Sequence, residues 1–335
     1  MRICIIGNCG GHIGSVFDGK RGPHEYIGAA ASSPLEPMES LCRLAKEKTG
    51  RPLPLFDDWR EMLDRLRPDV VAVDTIFCNH AVVSLFALER GIHVYCEKPA
   101  ATSLDQLDQL EAAIKQKKAR YFSMLTARFD PWFYTAKQLM KQGAVGKLLM
   151  AGGQKSYKLG SRPAYYRDRH LYGGTIPWVA IHAVDQLLWL TGLRCREVYA
   201  KQTRACNRGH GDLETAAALL LELEGGQPAH VNADYGRPED APTHGDDRIR
   251  LVGDAGVIEV INGRVYLMAK GNDGRQPLEN LTPPPIFDGF LDFLESPDDP
   301  KADWGGLAAS RVCLAARDSA DLGRPIRLQE ASASL

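Results

Sequence analysis

The chain has 335 residues, 44% of them hydrophobic and 25% charged, with 41 basic side chains against 42 acidic ones. This length predicts one large or two ordinary domains, and the apolar fraction excludes disorder as the dominant state. A formal net charge of -1 excludes the global basic field that draws proteins onto nucleic acids or anionic lipids. We therefore expect neither a nucleic-acid partner nor a membrane partner.

Targeting segments and metal sites are also not expected. No apolar run approaches the roughly twenty residues of a membrane span, and the apolar N-terminal stretch is too short for a secretory signal before it reaches Gly7. The eight cysteines contain no C-x-x-C pair, which is typical of reduced, mostly buried thiols and gives no ligand set for zinc. These features predict a soluble, cytoplasmic, two-domain protein without a metal site.

The N-terminal part of the chain alternates short apolar runs with amphipathic stretches. Strands are predicted at 2–6, 26–31, 70–73 and 93–96. Helices are predicted before Gly50, over 59–66, over 81–90 and after a capping box formed by Ser103 and Gln106. Strands that alternate with helices predict right-handed βαβ units and a parallel sheet.

The pattern changes after about residue 125. Helices are predicted from Pro131 to near Gly143, over 176–190 with Pro177 at the start, and over 307–322. Strands are predicted at 147–151, 196–204, 215–224, 228–235, 247–253, 256–260, 264–268 and 325–328, and residues 332–335 are expected to fray. Because few helices separate these strands, we predict an antiparallel sheet.

A glycine-rich turn, Gly7-Asn-Cys-Gly-Gly-His-Ile-Gly14, lies between the first strand and a predicted helix. Glycines let a backbone approach a pyrophosphate, and a helix N-terminus supplies N–H groups. Gly11 and Gly14 fit the last two glycines of the dinucleotide fingerprint, but Cys9 occupies the first position, unless the turn is one residue wider. The turn predicts a dinucleotide site, with a tight turn that binds no ligand as the alternative.

The end of the second strand bears on the choice of cofactor. A carboxylate at this position usually binds the ribose 2′-hydroxyl of NAD. Here the strand ends at Ser32 and Ser33, and Glu36 is the first acid beyond it. The serines suit a 2′-phosphate, but no arginine is adjacent, so the expected cofactor is NAD or NADP.

Three later features carry a family resemblance. Thr75 closes the third strand and precedes His80, Glu97-Lys98-Pro99 follows the fourth strand, and Gly173-Gly174 precedes a helix with His182 and Asp185. The second domain opens with Arg128-Phe-x-Pro131 and Gly143-x-x-Gly146, and the chain closes with Gly323-Arg-Pro325. In this order, and with the glycine turn, the chain resembles the glucose–fructose oxidoreductase/inositol dehydrogenase (Gfo/Idh/MocA) family.

The resemblance implies an α/β protein with a doubly wound Rossmann domain at 1–124. A substrate-binding and oligomerisation α/β domain with an open, mostly antiparallel sheet would follow at 125–335, with helix 307–322 packed back on the first domain. It implies a bound nicotinamide cofactor, a sugar, polyol or inositol as substrate, and a homo-oligomer (dimer or tetramer). The implied cofactor-binding residues are Gly7, Gly11, His12, Ile13, Gly14, Ser32, Ser33, Thr75, Asn79, His80, Glu97 and Lys98.

Oxidation of an alcohol needs a hydride acceptor and a group that takes the hydroxyl proton. Histidine is suited to proton transfer near neutral pH, and a lysine can stabilise the developing alkoxide. We therefore expect His182 to act as the base and Lys98, which the resemblance places beside the nicotinamide with a cis bond to Pro99, to orient the hydroxyl. The alternatives are a core histidine and a solvated surface lysine.

One departure from the family pattern concerns the usual aspartate of the proton relay. The family motif commonly reads G-G-x-x-x-D-x-G-x-H-x-x-D, but Trp178 stands at the first aspartate and Ala180 at the following glycine. Trp178 is either core packing or an apolar platform for a sugar ring. Asp185, one helical turn from His182, either orients the imidazole as a catalytic residue or is a structural carboxylate.

Substrate contacts are expected from Lys98, Tyr157, Tyr166, Trp178 and His182. Aromatic and basic side chains before Gly173 suit sugars and acids, although an ordinary surface loop fits the same composition. The leading hypothesis is an NAD(P)-dependent oxidoreductase that acts on a secondary hydroxyl of a sugar, polyol or inositol-like compound. The alternatives are an enzyme that retains NAD and cleaves glycosides by transient oxidation, and a non-catalytic cofactor-sensing regulator.

Overall fold

The computed structural model describes residues 1–116, 118–271, 274–295 and 305–328. The strands are β1 (Arg2–Ile6), β2 (Glu25–Ala30), β3 (Val70–Val73), β4 (His93–Cys96), β5 (Tyr121–Ser123), β6 (Leu148–Lys158), β7 (Cys195–Thr203), β8 (Ala216–Leu223), β9 (Pro228–Arg237), β10 (Gly245–Gly253), β11 (Gly256–Ile261), β12 (Arg264–Ala269), β13 (Gln276–Leu278) and β14 (Ile326–Arg327). The α-helices are α1 (Glu39–Thr49), α2 (Trp59–Leu66), α3 (His80–Glu89), α4 (Leu104–Gln116), α5 (Pro131–Lys141), α6 (Arg169–Tyr172), α7 (Ile181–Thr191), α8 (Ile286–Glu295) and α9 (Leu307–Leu322).

The chain divides into two compact units. Unit 1 comprises Met1–Thr126, His170–Gly173 and Pro284–Leu307. Unit 2 comprises Ala127–Arg169, Gly174–Pro283 and Ala308–Leu335. The division into domains at 1–124 and 125–335 stays a prediction, and so does the packing of helix 307–322 on the first domain.

Unit 1 contains a five-stranded parallel sheet in the order β2-β1-β3-β4-β5, which confirms the predicted parallel α/β fold. All four residues of β3 are buried, because helices cover both faces of such a sheet and its strands consist of apolar residues. The strand order reverses between β1 and β3. Ligands of doubly wound sheets bind at the carboxyl ends of the strands on either side of this reversal.

Local signals in unit 1 behave mostly as expected. Gly50 ends α1 in the left-handed conformation with φ of 71°, and Ser103 Oγ accepts a hydrogen bond of 3.2 Å from the backbone N–H of Gln106. The element after the glycine turn is a short 3-10 helix, Ile13–Phe17, instead of the predicted longer helix. The next residues include Gly19 and Gly22, which are poor helix formers.

Unit 2 contains a nine-stranded sheet in the order β13-β12-β11-β10-β6-β9-β8-β7-β14. The pair β6–β9 is parallel and the other described pairs are antiparallel, which confirms the mostly antiparallel sheet. Strand β6 was predicted at 147–151 but continues to Lys158, through Gly152 and Gly153. An added Cβ at Gly152 would lie 2.5 Å from the His230 ring, and one at Gly153 would lie 3.3 Å from the Cβ of Ala183. These glycines allow close packing and do not form a turn.

The helix predicted over 176–190 begins with a π-helical turn, Ile176–Ala180, and continues as α7. Helix α9 and strand β14 form as predicted, whereas 332–335 lie outside the described residues. Strands β5 and β13 and helix α8 were not predicted. Among the helices that the structure describes, none combines the length and the apolarity needed to cross a membrane.

Candidate active site and family

The glycine turn after β1 is packed against the end of β3. Gly7 has φ of +81°, and an added Cβ there would lie 2.5 Å from the carbonyl oxygen of Asp74. The backbone N–H of Gly10 donates to Oδ1 of Asp74. At Gly10, an added Cβ would lie 2.5 Å from Cγ of Glu97 and 2.6 Å from Oδ1 of Asp74. Gly7 is therefore needed for the close approach to the backbone of β3, and Gly10 for the close approach to the buried carboxyl groups of Asp74 and Glu97.

Asp74 is completely buried at the carboxyl end of β3. Burial raises its pKa well above the usual value, and the neighbouring charge of Glu97 raises it further. Within the described residues, its Oδ2 atom has no hydrogen-bond partner. These observations fit a protonated, neutral Asp74. Sequence reasoning missed this residue, since an acid at the end of a strand gives no sign of its protonation state.

Lys98 and Glu97 form a buried pair directly after β4. The side chain of Lys98 is 1% exposed, and its Nζ lies 3.8 Å from Oε1 of Glu97. On the other side, Oε2 of Glu97 lies 2.7 Å from Nδ1 of His12, whose side chain is partly exposed. Burial favours a higher pKa for Glu97, but the charge and hydrogen bond of His12, together with Lys98, hold the pKa below its usual value. Glu97 is therefore a carboxylate that compensates the buried ammonium.

The Lys98–Pro99 peptide bond is cis, as the resemblance implied. The ring of His80 is fully buried and contacts a backbone carbonyl through each nitrogen. Nδ1 lies 2.8 Å from the carbonyl oxygen of Pro99, and Nε2 lies 3.0 Å from that of Thr75. Burial lowers the pKa of His80. His80 therefore connects the end of β3 with the turn that carries Lys98.

Glu36, which sequence analysis placed beyond the second strand, lies back at the end of β2. Its carboxylate accepts hydrogen bonds from the Ser32 backbone N–H (2.6 Å), from the Ser32 hydroxyl (2.7 Å) and from the Ile76 backbone N–H (2.7 Å). The Asn79 amide donates to the Ser32 hydroxyl over 2.9 Å. Glu36 is 5% exposed, so a buried carboxylate occupies the strand end that usually recognises the ribose.

The glycine turn fits a dinucleotide on its outer side. Gly11 has φ of +88°, and an added Cβ would meet no atom within 4 Å. This open side contrasts with the crowded side at Gly10, and it is where a pyrophosphate can approach the backbone. Ile13, which follows the turn, is 1% exposed and packs into the core of unit 1. An added Cβ at Gly14 would lie 3.0 Å from a methyl carbon of Leu44, so this glycine lets the turn pack against α1.

In unit 2, His182 and Tyr157 are in contact. His182 lies in the first turn of α7 and is 2% exposed. The hydroxyl of Tyr157, at the end of β6, lies 3.3 Å from Nε2 of His182. Tyr157 stacks on His244 at 4.9 Å between ring centres and on Tyr235 at 6.3 Å. The two residues were predicted separately, and the sheet brings them together.

Lys155 lies two residues before Tyr157 on the same face of β6. Its Nζ is 2.6 Å from Oδ2 of Asp247, which faces it across the β6–β10 pair, and 4.8 Å from the centre of the Tyr157 ring. Burial favours a lower pKa for Lys155, but Tyr157 and Asp247 outweigh burial and raise the pKa above its usual value. Sequence reasoning missed Lys155, because the strand was expected to end before it.

Asp185 is engaged by an arginine. Oδ2 of Asp185 accepts from Nε of Arg128 over 2.9 Å, and Oδ1 accepts from Nη2 over 2.5 Å. The two side chains are 2% and 4% exposed, so this is a buried, two-point ion pair. It anchors α7 one turn beyond His182.

Trp178 lies in the π-helical turn before α7 and is 5% exposed. Its ring meets that of Tyr166 at 6.2 Å in an edge-to-face arrangement. Tyr166 is 3% exposed and lies under the guanidinium of Arg162, 5.7 Å from the ring centre. π-Helical turns of this kind are frequent at functional sites.

Comparison with known proteins identifies the family. Residues 1–125 match the model of the oxidoreductase family with an NAD-binding Rossmann fold, and residues 133–259 match the Gfo/Idh/MocA C-terminal domain. The inositol 2-dehydrogenase/D-chiro-inositol 3-dehydrogenase of Shouchella clausii is 26% identical over 263 residues, which cover 76% of this chain and 71% of that protein.

Solved structures agree. A structure from Thermotoga maritima, assigned as an oxidoreductase, is 36% identical, covers 98% of this chain and 100% of its own, and superimposes with a TM-score of 0.91. Levoglucosan dehydrogenase in complex with NADH and levoglucosan shares the fold, with a TM-score of 0.80 at 18% identity over 98% of this chain and 99% of that one. The chain belongs to the Gfo/Idh/MocA family of NAD-binding oxidoreductases.

Proposed function

We propose that this enzyme is an NAD-dependent dehydrogenase that oxidises a secondary hydroxyl of a sugar, polyol or inositol-like compound. The observation that carries the proposal is the buried Lys98–Glu97 pair at the carboxyl edge of the parallel sheet. Burial of an ammonium costs folding free energy, which a nearby carboxylate offsets in part. Its retention at this place indicates a function. Here it lies where open α/β sheets bind their ligands. The inositol dehydrogenase among the relatives supports the substrate class.

The residues of unit 1 have distinct roles in this proposal. A bound NAD would supply the acceptor for the hydride of the carbinol carbon. Lys98 binds the hydroxyl oxygen and stabilises the charge that develops on it. Glu97 lies beside the ammonium of Lys98 and offsets the cost of its burial, and His80 contacts the carbonyl of Pro99 and fixes the turn that carries Lys98. The backbone of the glycine turn, at Gly7, Gly11, Ile13 and Gly14, together with His12, Ser33, Thr75 and Asn79, would hold the cofactor.

The residues of unit 2 supply proton transfer and recognition. His182 is the base that ends up protonated when the hydroxyl is oxidised, and Tyr157, Tyr166 and Trp178 offer aromatic surface to the substrate ring. Asp185 is bound at both oxygens by Arg128. We therefore assign it a positioning role, in which it acts on His182 through the anchored helix α7.

NAD is preferred over NADP in this proposal. The Glu36 carboxylate at the end of β2 is able to accept from a ribose hydroxyl and repels a 2′-phosphate. Ser32 and Asn79 hold this carboxylate in place.

A homo-oligomer, a dimer or a tetramer, is proposed from the sheet of unit 2. Residues of β8 alternate between buried and exposed, so one face of the strand is uncovered. Leu220 on this face is 56% exposed, and Met150 is 38% exposed. Large exposed apolar side chains on an open sheet favour association. A cytoplasmic location is proposed because none of the eight cysteines forms a disulfide.

The experiment is a panel of polyols, inositols and sugars assayed with NAD at 340 nm. Turnover of at least one member is expected, and Lys98→Met is expected to abolish it. Lys46→Met is the matched control, since Lys46 is exposed on α1 in the same unit, and it should leave the rate unchanged. A wild-type enzyme that binds NAD but oxidises no member of the panel overturns the proposal. The relatives are named as oxidoreductases and dehydrogenases, which disfavours glycoside cleavage and a regulatory role.

A further inference from the structure

The family's proton relay lacks its usual aspartate in this chain, because Trp178 stands in that position. The structure offers a different polar group beside His182. Tyr157 reaches Nε2 of His182 from β6, and its own side chain is only partly buried. The Tyr157 hydroxyl is thus the polar group that lies against the predicted base.

Lys155 favours one direction for this hydrogen bond. An ammonium has donors and no acceptor, so it faces the lone pairs of neighbouring oxygens. Lys155 is 7% exposed, is paired with Asp247 and lies over Tyr157. The cation therefore lies on the electron-rich side of Tyr157, an arrangement that favours donation of the Tyr157 O–H to Nε2 of His182.

Sheet register explains why these groups meet. Lys155 faces Asp247, and Tyr157 faces Gly245, across the β6–β10 pair. Because Gly245 has no side chain, the Tyr157 ring lies over it, 3.3 Å from where a Cβ would be. Gly153, on the same face, allows α7 to approach through Ala183. The strand therefore brings Lys155 and Tyr157 under the first turn of α7.

We propose that Tyr157 and His182 form an acid–base pair, and that Lys155 is a positioning residue that stabilises negative charge on the Tyr157 oxygen. This inference rests on the proposed dehydrogenase function. The alcohol gives its O–H proton to the Tyr157 oxygen while the Tyr157 proton passes to Nε2 of His182. With NAD bound, the carbinol hydride would pass to the cofactor as the C=O bond forms, and the imidazolium later releases its proton to water. Tyr157 is neutral before and after the step.

Other titratable groups also face the Tyr157–His182 pair. Tyr235 contributes from β9, Asp247 from β10, and His244 from the residue before β10. Burial lowers the pKa of His244, as do the nearby Arg162, Lys155 and Lys158. On α7, the charge of Asp185 is paired with Arg128. Lys155 is thus the buried cation that bears on Tyr157.

The first test uses the cofactor-free protein. The titration midpoint of His182 is measured by NMR of labelled histidine and assigned with His182→Gln. A hydrogen bond donated to Nε2 stabilises the neutral ring, so Tyr157→Phe and Lys155→Met should each raise the midpoint, by about one pH unit. Lys155→Arg should restore much of the wild-type value. Unchanged midpoints in both Tyr157→Phe and Lys155→Met overturn the proposal.

The second test uses the enzyme with NAD and its best substrate. The acid limb of kcat/KM should move to higher pH in Lys155→Met, in step with the NMR midpoint. The kcat of Tyr157→Phe should fall by about 100-fold or more, the usual contribution of general acid–base catalysis. The controls are Lys201→Met and Tyr199→Phe, a lysine–tyrosine pair of 5.5 Å on β7, which should change neither. Wild-type enzyme without turnover refutes the dehydrogenase function, while the NMR test still decides on the pair.

Discussion

The carboxylate of Glu36 accepts hydrogen bonds from both the backbone N–H and the hydroxyl of Ser32, although it lies four residues farther along the chain. A turn that begins at Ser33 brings Glu36 back toward Ser32. The Ser33 carbonyl accepts a hydrogen bond of 3.1 Å from the backbone N–H of Glu36. The consequence is a negative charge at the end of β2, where the ribose of a dinucleotide is recognised.

Replacing this charge should change the choice of cofactor. Glu36→Gln keeps the shape of the side chain but loses a charge-assisted hydrogen bond, so the dissociation constant of NADH should rise about tenfold, equivalent to about 1.4 kcal/mol. NADPH should bind more tightly, because its 2′-phosphate no longer meets a carboxylate. Fluorescence titration with both cofactors measures the ratio. Glu39→Gln, on the exposed first turn of α1, is the control, and an unchanged ratio in Glu36→Gln would contradict the assignment.

The buried acid at the end of β3 predicts a pH-dependent stability. The pKa of Asp74 is raised in the folded protein, so folding favours the protonated form. Its contribution is complete below the pKa of an unfolded aspartate and is lost as pH rises through the folded pKa. Asp74→Asn mimics the neutral acid. The melting temperature of this variant should therefore fall less between pH 5 and pH 9 than that of the wild type, as measured by calorimetry. Parallel curves would show that Asp74 is ionised in the folded state.

The Arg128–Asp185 pair predicts a separation of stability from activity. Arg128→Met leaves a buried carboxylate without its cation and should cost about 3–5 kcal/mol in urea unfolding. The double variant Arg128→Met/Asp185→Leu should recover most of this loss, yet kcat should remain low because α7 is no longer anchored by a two-point bond. The exposed pair Arg194–Glu224 is the control, where Arg194→Met should cost less than about 1 kcal/mol. Full recovery of kcat in the double variant would remove the positioning role of Asp185.

The uncovered face of the sheet in unit 2 predicts that a single substitution there will dissociate the oligomer. Leu220→Glu places a charge on the uncovered face and should convert the oligomer into monomers in sedimentation experiments. Leu322→Glu, which alters an equally exposed leucine at the end of α9, should not. A wild type that sediments as a monomer, or an oligomer unaffected by Leu220→Glu, would show that this face is not the contact.

The fold was largely accessible from sequence because each strand and helix carries its own periodicity. Strand β3 and helix α1, with its Gly50 terminus, follow directly from local residue patterns. The end of β6 was missed because Gly152-Gly153 has the composition of a turn. In the sheet, the two glycines are required by close packing against His230 and Ala183, which no local pattern reveals.

The candidate site was accessible in part. Lys98 and His182 were predicted from motifs, but the partners that define their chemistry come from distant segments. The position of the Glu36 carboxylate depends on the turn that follows β2. Ser33-Pro34 was the sequence signal for this turn, since proline favours the second position of a turn. Lys155 required knowledge of strand register, because its partner Asp247 lies far along the chain.

Strand β6 is paired on both sides, with β10 and with β9. A shift of one residue in either ladder would point Gln154 and Ser156 toward α7 in place of Lys155 and Tyr157. The side chains that face α7 are thus determined by the backbone hydrogen-bond register of β6. Activity can be lost through a substitution that touches no polar atom of the site, provided that it changes how the strand is aligned.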